Sequence, residues 1–169
     1  MSDPIKKIEL SNKLPEINDG FLLTRQSEDR KSGIHITLWV KTMAGAVKLS
    51  ISNELAVFFI HSDEQEKAKA FLTQQHIHCE KIKSLDLRTF TQQLVSGFYF
   101  KSMRDLYAAR DTLKQYGIKC YEDDFRPAER YLMERFITSS VNFIGRQQTY
   151  NNQNSDTNVS YQSIEDAKC

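Results

Sequence analysis

The chain has 169 residues, of which 40% are hydrophobic and 27% charged. That is the composition of an ordinary globular chain, long enough to bury a core without disulfides or metal. Lys and Arg number 23 against 22 Asp and Glu, a formal net charge of +1, which excludes a whole-surface basic field and leaves only a local patch for any contact with nucleic acid. The three cysteines, Cys79, Cys120 and Cys169, are odd in number and scattered, so they build no disulfide framework and suit a reducing compartment. No apolar run has membrane-spanning length, and the opening Met-Ser-Asp-Pro-Ile-Lys-Lys lacks the apolar centre of a signal peptide. A cytoplasmic protein is expected.

Residues 1–19 are polar, carry Pro4 and Pro15, and read as a loose lead-in. Phe21 to Thr24 reads as a strand, and Ser27 to Gly33 as a charged turn. Ile34, Ile36, Leu38 and Val40 then alternate with His35, Thr37 and Trp39, the period of a strand. Met43-Ala44-Gly45 turns the chain, and Val47, Leu49 and Ile51 alternate again, so the first third predicts an antiparallel meander. The apolar run Leu55 to Ile60 predicts a buried strand. Ser62 with Gln65 has the spacing of a capping box, and Ala68, Phe71 and Leu72 form a helical stripe. Ile77 to Ile82 predicts a further strand, Asp86 to Leu94 a short helix, and Val95 to Lys101 a strand rich in aromatics. The clearest helix follows. Ser102 caps it, Asp105 completes the box, Met103, Leu106, Ala109 and Leu113 share a stripe, and Gly117 supplies the left-handed end. Ile118 to Tyr121 predicts a strand. Pro127 opens a last helix, with Leu132 and Phe136 on one face and Met133 and Ile137 beside them.

From Leu55 to Tyr121 the order is β-α-β-(short helix)-β-α-β. This predicts an α+β fold: an antiparallel β meander plus a ferredoxin/RRM-like βαββαβ unit, ending in a helix. Gln147 to Asn158 is almost wholly polar, and Val159 to Cys169 shows no period. Residues 147–169 are therefore expected to be a polar linker following a domain at 20–146, with further chain beyond Cys169.

Few residues offer chemistry. His76, His78 and Cys79 cluster, but zinc needs a second ligand pair, and the cluster reads as a helix end and a strand start. Glu122, Asp123 and Asp124 are consecutive and cannot converge on one cation without a turn; they suit a strand end facing a helix N-terminus. Phe98, Tyr99 and Phe100 carry the nucleic-acid signal, since RNA-recognition motifs stack bases on aromatics of a central strand. Alternation puts Phe98 and Phe100 on one face and Tyr99 on the other, and either face could be core. Arg126 and Arg130, four residues apart, could join Lys101 and Arg104 in a phosphate-binding patch, or the arginines could pair with neighbouring acids. No nucleophile and base pair up, and no glycine-rich phosphate loop is present.

One segment says more. Cys120 to Thr138, with an acidic strand end followed by Arg130-Tyr131-Leu132, is similar to family B DNA polymerases, and Arg126-Pro127 with Met133-Glu134-Arg135-Phe136-Ile137-Thr138 resembles their bacterial polymerase II branch. Gly20-Phe21-Leu22-Leu23-Thr24-Arg25 and Ser96-Gly97-Phe98-Tyr99 resemble the same N-terminal domain. The likeness covers roughly residues 20–146. It implies the non-catalytic N-terminal domain of a template-directed DNA polymerase with 3′–5′ exonuclease, acting in replication restart, repair and lesion bypass. It implies Mg2+ for the full enzyme, held by carboxylates outside this segment, and no cofactor in the segment itself. The implied partners are primer-template and single-stranded template DNA, the exonuclease and polymerase domains of the same chain, and a sliding clamp at the far C-terminus. Ser163-Ile164-Glu165-Asp166 lacks the leading aspartate of the family's first exonuclease motif. In archaeal relatives the Arg matched by Arg130 lies near a pocket that senses template uracil.

Overall fold

The computed structural model describes residues 18–89, 92–150 and 161–169. Its elements are β1 (Asn18–Arg30), β2 (Gly33–Thr42), β3 (Gly45–Glu54), β4 (Ala56–His61), α1 (Gln65–Gln74), β5 (Lys81–Arg88), β6 (Leu94–Phe100), α2 (Met103–Gln115), α3 (Pro127–Glu134), β7 (Ser140–Tyr150) and β8 (Tyr161–Lys168). The fold is α+β, as expected. The meander β1-β2-β3 is present, but β8 and β7 close it into a barrel of order β1-β2-β3-β8-β7, with β8 parallel to β3. Alternation does the work in β2 and β3. Ile36, Leu38 and Val40 face Ile51, Leu49 and Val47 across the pair, and all six are buried.

The second sheet has the order β4-β6-β5, all antiparallel, with Tyr121 bridging Phe59 on the far side of β4. This is the split arrangement predicted from the element order, with the fourth strand shrunk to one bridge. Phe58, Ile60, Phe98 and Phe100 fill the face beneath α1 and α2, and the ring of Phe58 stacks on both Phe98 and Phe100. Full burial of each such ring is worth about 2–3 kcal/mol. Ala68 and Leu72 of α1 and Leu106, Ala109 and Leu113 of α2 close the layer. These residues and the barrel's apolar row belong to one contiguous core.

Several expectations change. Ser27–Arg30 continue β1, and the reversal needs only Lys31-Ser32 before Gly33, whose φ of 143° and approach to Asn53 Cα leave no room for a side chain. A charged stretch survives as a strand here because it lies on an exposed edge, where charge deters further pairing. The Ser62–Gln65 capping box does not form. Ser62 lies in a single 3-10 turn, and its hydroxyl, like Gln65 Oε1, bonds Ser96 Oγ (3.1 and 2.8 Å). Ser96 is fully buried, and a buried hydroxyl must find partners. The strand expected at Ile77 begins only at Lys81, because His76 (φ 56°) ends α1 and the chain then crosses to the sheet edge. The helix expected at Asp86–Leu94 is the β5–β6 hairpin; residues 90–91 lie outside the described residues. Phe136 is not on the core face of α3. It follows the helix at φ 56° and is 93% exposed, while Ala128, Tyr131 and Leu132 face the core. Of the lead-in, Asn18 and Asp19 already pair with β7, and residues 1–17 lie outside the described residues.

The linker reading of 147–169 changes most. Gln147–Tyr150 and Tyr161–Lys168 are barrel strands, with Ile164 and Ala167 buried. Polar residues suffice there because backbone pairing and two apolar side chains hold the strand; residues 151–160 lie outside the described residues.

At α2 the predicted cap is real and is reinforced from the barrel. Ser102 Oγ accepts from Asp105 N (3.1 Å), while Asp29 of β1 accepts from Met103 N (2.9 Å) and Arg104 N (3.2 Å). Gly117 takes φ 75° just beyond the other end, as its position predicts.

Candidate nucleic-acid interface

The parity of β6 decides the aromatic question. Phe98 and Phe100 are 0% exposed under the helices, so Phe98 cannot meet a base, and that candidate is corrected. Tyr99 lies on the opposite face, away from α1 and α2 and beside α3, and is half-buried. Lys81 Nζ lies 4.8 Å and Lys83 Nζ 6.0 Å from its ring centroid. Gly97 lies on this face too. A Cβ there would come to 3.0 Å of the Tyr99 ring and 3.3 Å of the Phe59 ring, so its absence lets both rings lie low on the sheet. Tyr121 completes the row. Its hydroxyl bonds His61 Nε2 (2.8 Å), and Lys119 Nζ lies 4.8 Å from its ring. Burial, helped by the Glu134 carboxylate, pushes the Tyr99 phenol up, so it stays a neutral hydrogen-bonding group. Lys81, Lys83 and Lys119 form no ion pair among the described residues.

Arg130 borders this face. It is 8% exposed, and its guanidinium lies 5.5 Å from the Phe59 ring and 5.4 Å from the Phe125 ring. It reaches Glu122 Oε2 at 3.0 Å and Glu134 Oε1 at 3.8 Å, and donates to the Glu122 carbonyl at 3.3 Å. The ion-pairing alternative thus holds for Arg130, and also for Arg135, which packs 3.6 Å over the Tyr131 ring and reaches Glu134. Asp123 pairs with Lys114 (2.5 Å). With Glu122 and Asp123 each turned to a cation, the acidic run offers no convergent donor set, and among the described residues no group of three His, Cys, Asp or Glu could hold a metal. His76 is exposed, while the Cys79 thiol donates to backbone carbonyls.

The remaining basic candidates do not join one patch. Lys101 pairs with Glu80 (3.1 Å), and Arg104 turns to Asp105 (3.3 Å) at the start of α2. Arg126 is the extended residue before α3 (φ −69°, ψ 141°), so four-residue spacing does not put it beside Arg130. It lines a separate cleft of about 1030 Å³ between β1–β3 and the starts of α2 and α3. His35, in the same cleft, is buried, with Nδ1 3.2 Å from Ser52 Oγ. Burial and then the Arg30 charge hold it below the usual histidine range. Sequence reasoning missed Phe59, Lys81, Lys83, Lys119 and Tyr121. The signal that could have found them was strand parity: they fall on the Tyr99 face once Phe98 is assigned to the core.

Comparison with known proteins agrees with this architecture. Residues 20–54 match the family described as DNA polymerase II, N-terminal, and residues 56–118 match DNA polymerase II, insertion domain. The junction falls between β3 and β4, where barrel gives way to sheet. DNA polymerase II of Escherichia coli (strain K12) is 37% identical over 122 residues, 72% of this chain and 15% of that protein. The family B DNA polymerase of the hyperthermophilic archaeon Pyrobaculum calidifontis shares the fold, with a TM-score of 0.65 at 15% identity over 86% of this chain and 19% of that one. The chain belongs to the DNA polymerase II family and corresponds to its N-terminal region.

Proposed function

We propose that this chain is the accessory N-terminal region of a DNA-directed DNA polymerase with 3′–5′ exonuclease, serving replication restart, repair and lesion bypass in the bacterial cytoplasm. In this reading the chain performs no catalysis. Mg2+ and the carboxylates that hold it belong to the exonuclease and polymerase domains, and the clamp contact to the far C-terminus. Its own task is to guide single-stranded template across the open face of the second sheet. The observation that carries this is the row Phe59, Tyr99 and Tyr121 with Lys81, Lys83 and Lys119 beside it, which form no ion pair among the described residues. Rings that stack bases, flanked by cations that meet phosphates, are how single strands are held without sequence preference. The test is oligothymidylate binding across a salt series. Lys81→Ala with Lys83→Ala should flatten the log–log salt slope by about 1.4, two phosphate contacts on a single strand. An unchanged slope and affinity would remove the sheet face from the template path.

A second reading has its own observation. Phe136 (93% exposed) and Met133 (49%) present apolar surface at the end of α3, as a module bracing a neighbouring exonuclease domain would. Self-association of the chain without oligonucleotide binding would favour it.

A further inference from the structure

We infer that the cleft between the barrel and the starts of α2 and α3 is a second contact for the same single strand, separate from the sheet face. The inference rests on the proposed function in taking the ligand to be single-stranded DNA. Four cations line the cleft, Arg25, Arg30, Lys48 and Arg126. Arg25 is matched by Glu129 (3.5 Å) and Arg30 by Glu28, whereas Lys48 and Arg126 have no ion pair among the described residues. The cleft therefore keeps an excess of two positive charges, four cations less the two carboxylates, on a chain whose net charge is only +1. Trp39 and Tyr107 also line it. Trp39 is half-buried and held in place by an edge contact with Tyr161, ring centroids 5.1 Å apart. An indole beside free cations suits a nucleoside phosphate, with the base on the ring and the phosphate on the ammonium and guanidinium.

A strand fits better than a free nucleotide. At about 1030 Å³, the space lies at the upper end of what a small ligand fills, and it is open to solvent along β1. Its lining also meets that of the smaller cavity beside Tyr99 and Lys81 at a shared residue, Pro127. A strand leaving the sheet face would pass the start of α3 to reach Trp39.

Trp39 is the chain's only tryptophan, so its fluorescence reports on this cleft and on no other surface. The experiment is a titration of the 169-residue chain with oligothymidylate of about 12 nucleotides, reading Trp39 quenching and the anisotropy of the labelled strand together, with dTMP as a parallel titrant. The expected result is saturable quenching by the oligonucleotide, weakened roughly tenfold by Lys48→Glu with Arg126→Glu. Lys81→Ala with Lys83→Ala should lower affinity yet leave the full quench depth at saturation. Strand binding seen by anisotropy with Trp39 unchanged would overturn the cleft and leave the sheet face standing. No binding by either readout would overturn both. Quenching by dTMP as deep and as tight as by the strand would replace the strand with a free nucleotide. Far-UV circular dichroism identifies a misfolded variant, and in that case quenching of the unaltered chain still decides.

Discussion

Removing Arg130 tests whether a buried guanidinium holds the sheet edge. Its side chain is 9% exposed, while those of Glu122 and Glu134 are 47% and 56% exposed. The two ion pairs are therefore screened by water on the carboxylate side and are worth about 0.5–1 kcal/mol each at most. The two ring contacts add about 0.5–1 kcal/mol each. Burial of the aliphatic stem adds about 2 kcal/mol, against about 1.5–2 kcal/mol of side-chain entropy regained on truncation. Arg130→Ala should then cost about 2–4.5 kcal/mol. With a urea m-value of about 2 kcal/mol/M, the unfolding midpoint should fall by about 1–2 M. Arg130→Met keeps the stem and its entropy cost but loses the ion pairs and ring contacts, so it should cost about as much as Arg130→Ala. A double-mutant cycle with Glu122→Gln should give a coupling of about 0.5–1 kcal/mol. A loss below about 0.5 kcal/mol for Arg130→Ala would refute the reasoning, because it would mean that the guanidinium is solvated in solution and that Phe59 and Phe125 pack without it.

Two further outcomes follow from local geometry. Asp29→Ala leaves the amides of Met103 and Arg104 without their acceptor and should cost about 1–2 kcal/mol in chemical denaturation; Asp29→Asn should recover part of it, and no loss at all would mean that α2 does not depend on the barrel edge. Burial raises the pKa of Glu54, an effect that Arg135 opposes; a raised carboxylate favours the folded state below its unfolded pKa and loses that contribution as pH climbs through the folded value, so Glu54→Gln should raise the unfolding midpoint at neutral pH and leave it unchanged near pH 4, and a variant less stable at neutral pH would reverse the sign.

The legible parts of the fold were those where one pattern had no competitor. Ile34 to Val40 and Val47 to Ile51 keep strict alternation because one face of each strand is wholly apolar. Helix α2 carries its own cap, stripe and terminal glycine. The barrel's closing strand was not legible for a physical reason. In β8 the buried positions are Ser163, Ile164 and Ala167, and Asp166 interrupts them at φ 51°, so no period of two survives. Phe136 ends its helix in the left-handed region, where glycine would have announced the stop. For the candidate interface, the sequence placed the right strand but not its open face. Phe98 and Tyr99 are equally aromatic, and only the location of the helices decides which of them is core. The basic candidates were a reading of proximity along the chain, and proximity fails where Arg126 precedes α3 and Arg130 lies inside it.

Arg130-Tyr131-Leu132, the part of the resemblance shared across family B polymerases, falls where the two sheets are joined, and geometry explains why. Four consecutive residues of α3 meet different parts of the molecule. Glu129 pairs with Arg25 on β1, Arg130 lies over Phe59 on β4, the Tyr131 hydroxyl accepts from Cys169 N just beyond β8, and Leu132 enters the common core. Burial drives the Tyr131 phenol up to about 12, so it stays protonated. Successive helical residues point about 100° apart, which lets a two-turn helix touch the barrel, the second sheet and the closing strand at once. It also means that a slip of one residue would break every one of these contacts together. Pro127 removes that freedom by fixing the first turn. The same geometry sets the distance between the two surfaces to which single-stranded DNA is assigned, because Pro127 lines both the barrel cleft and the cavity beside Tyr99. A strand spanning them would sense the seating of α3 directly, without requiring either sheet to deform.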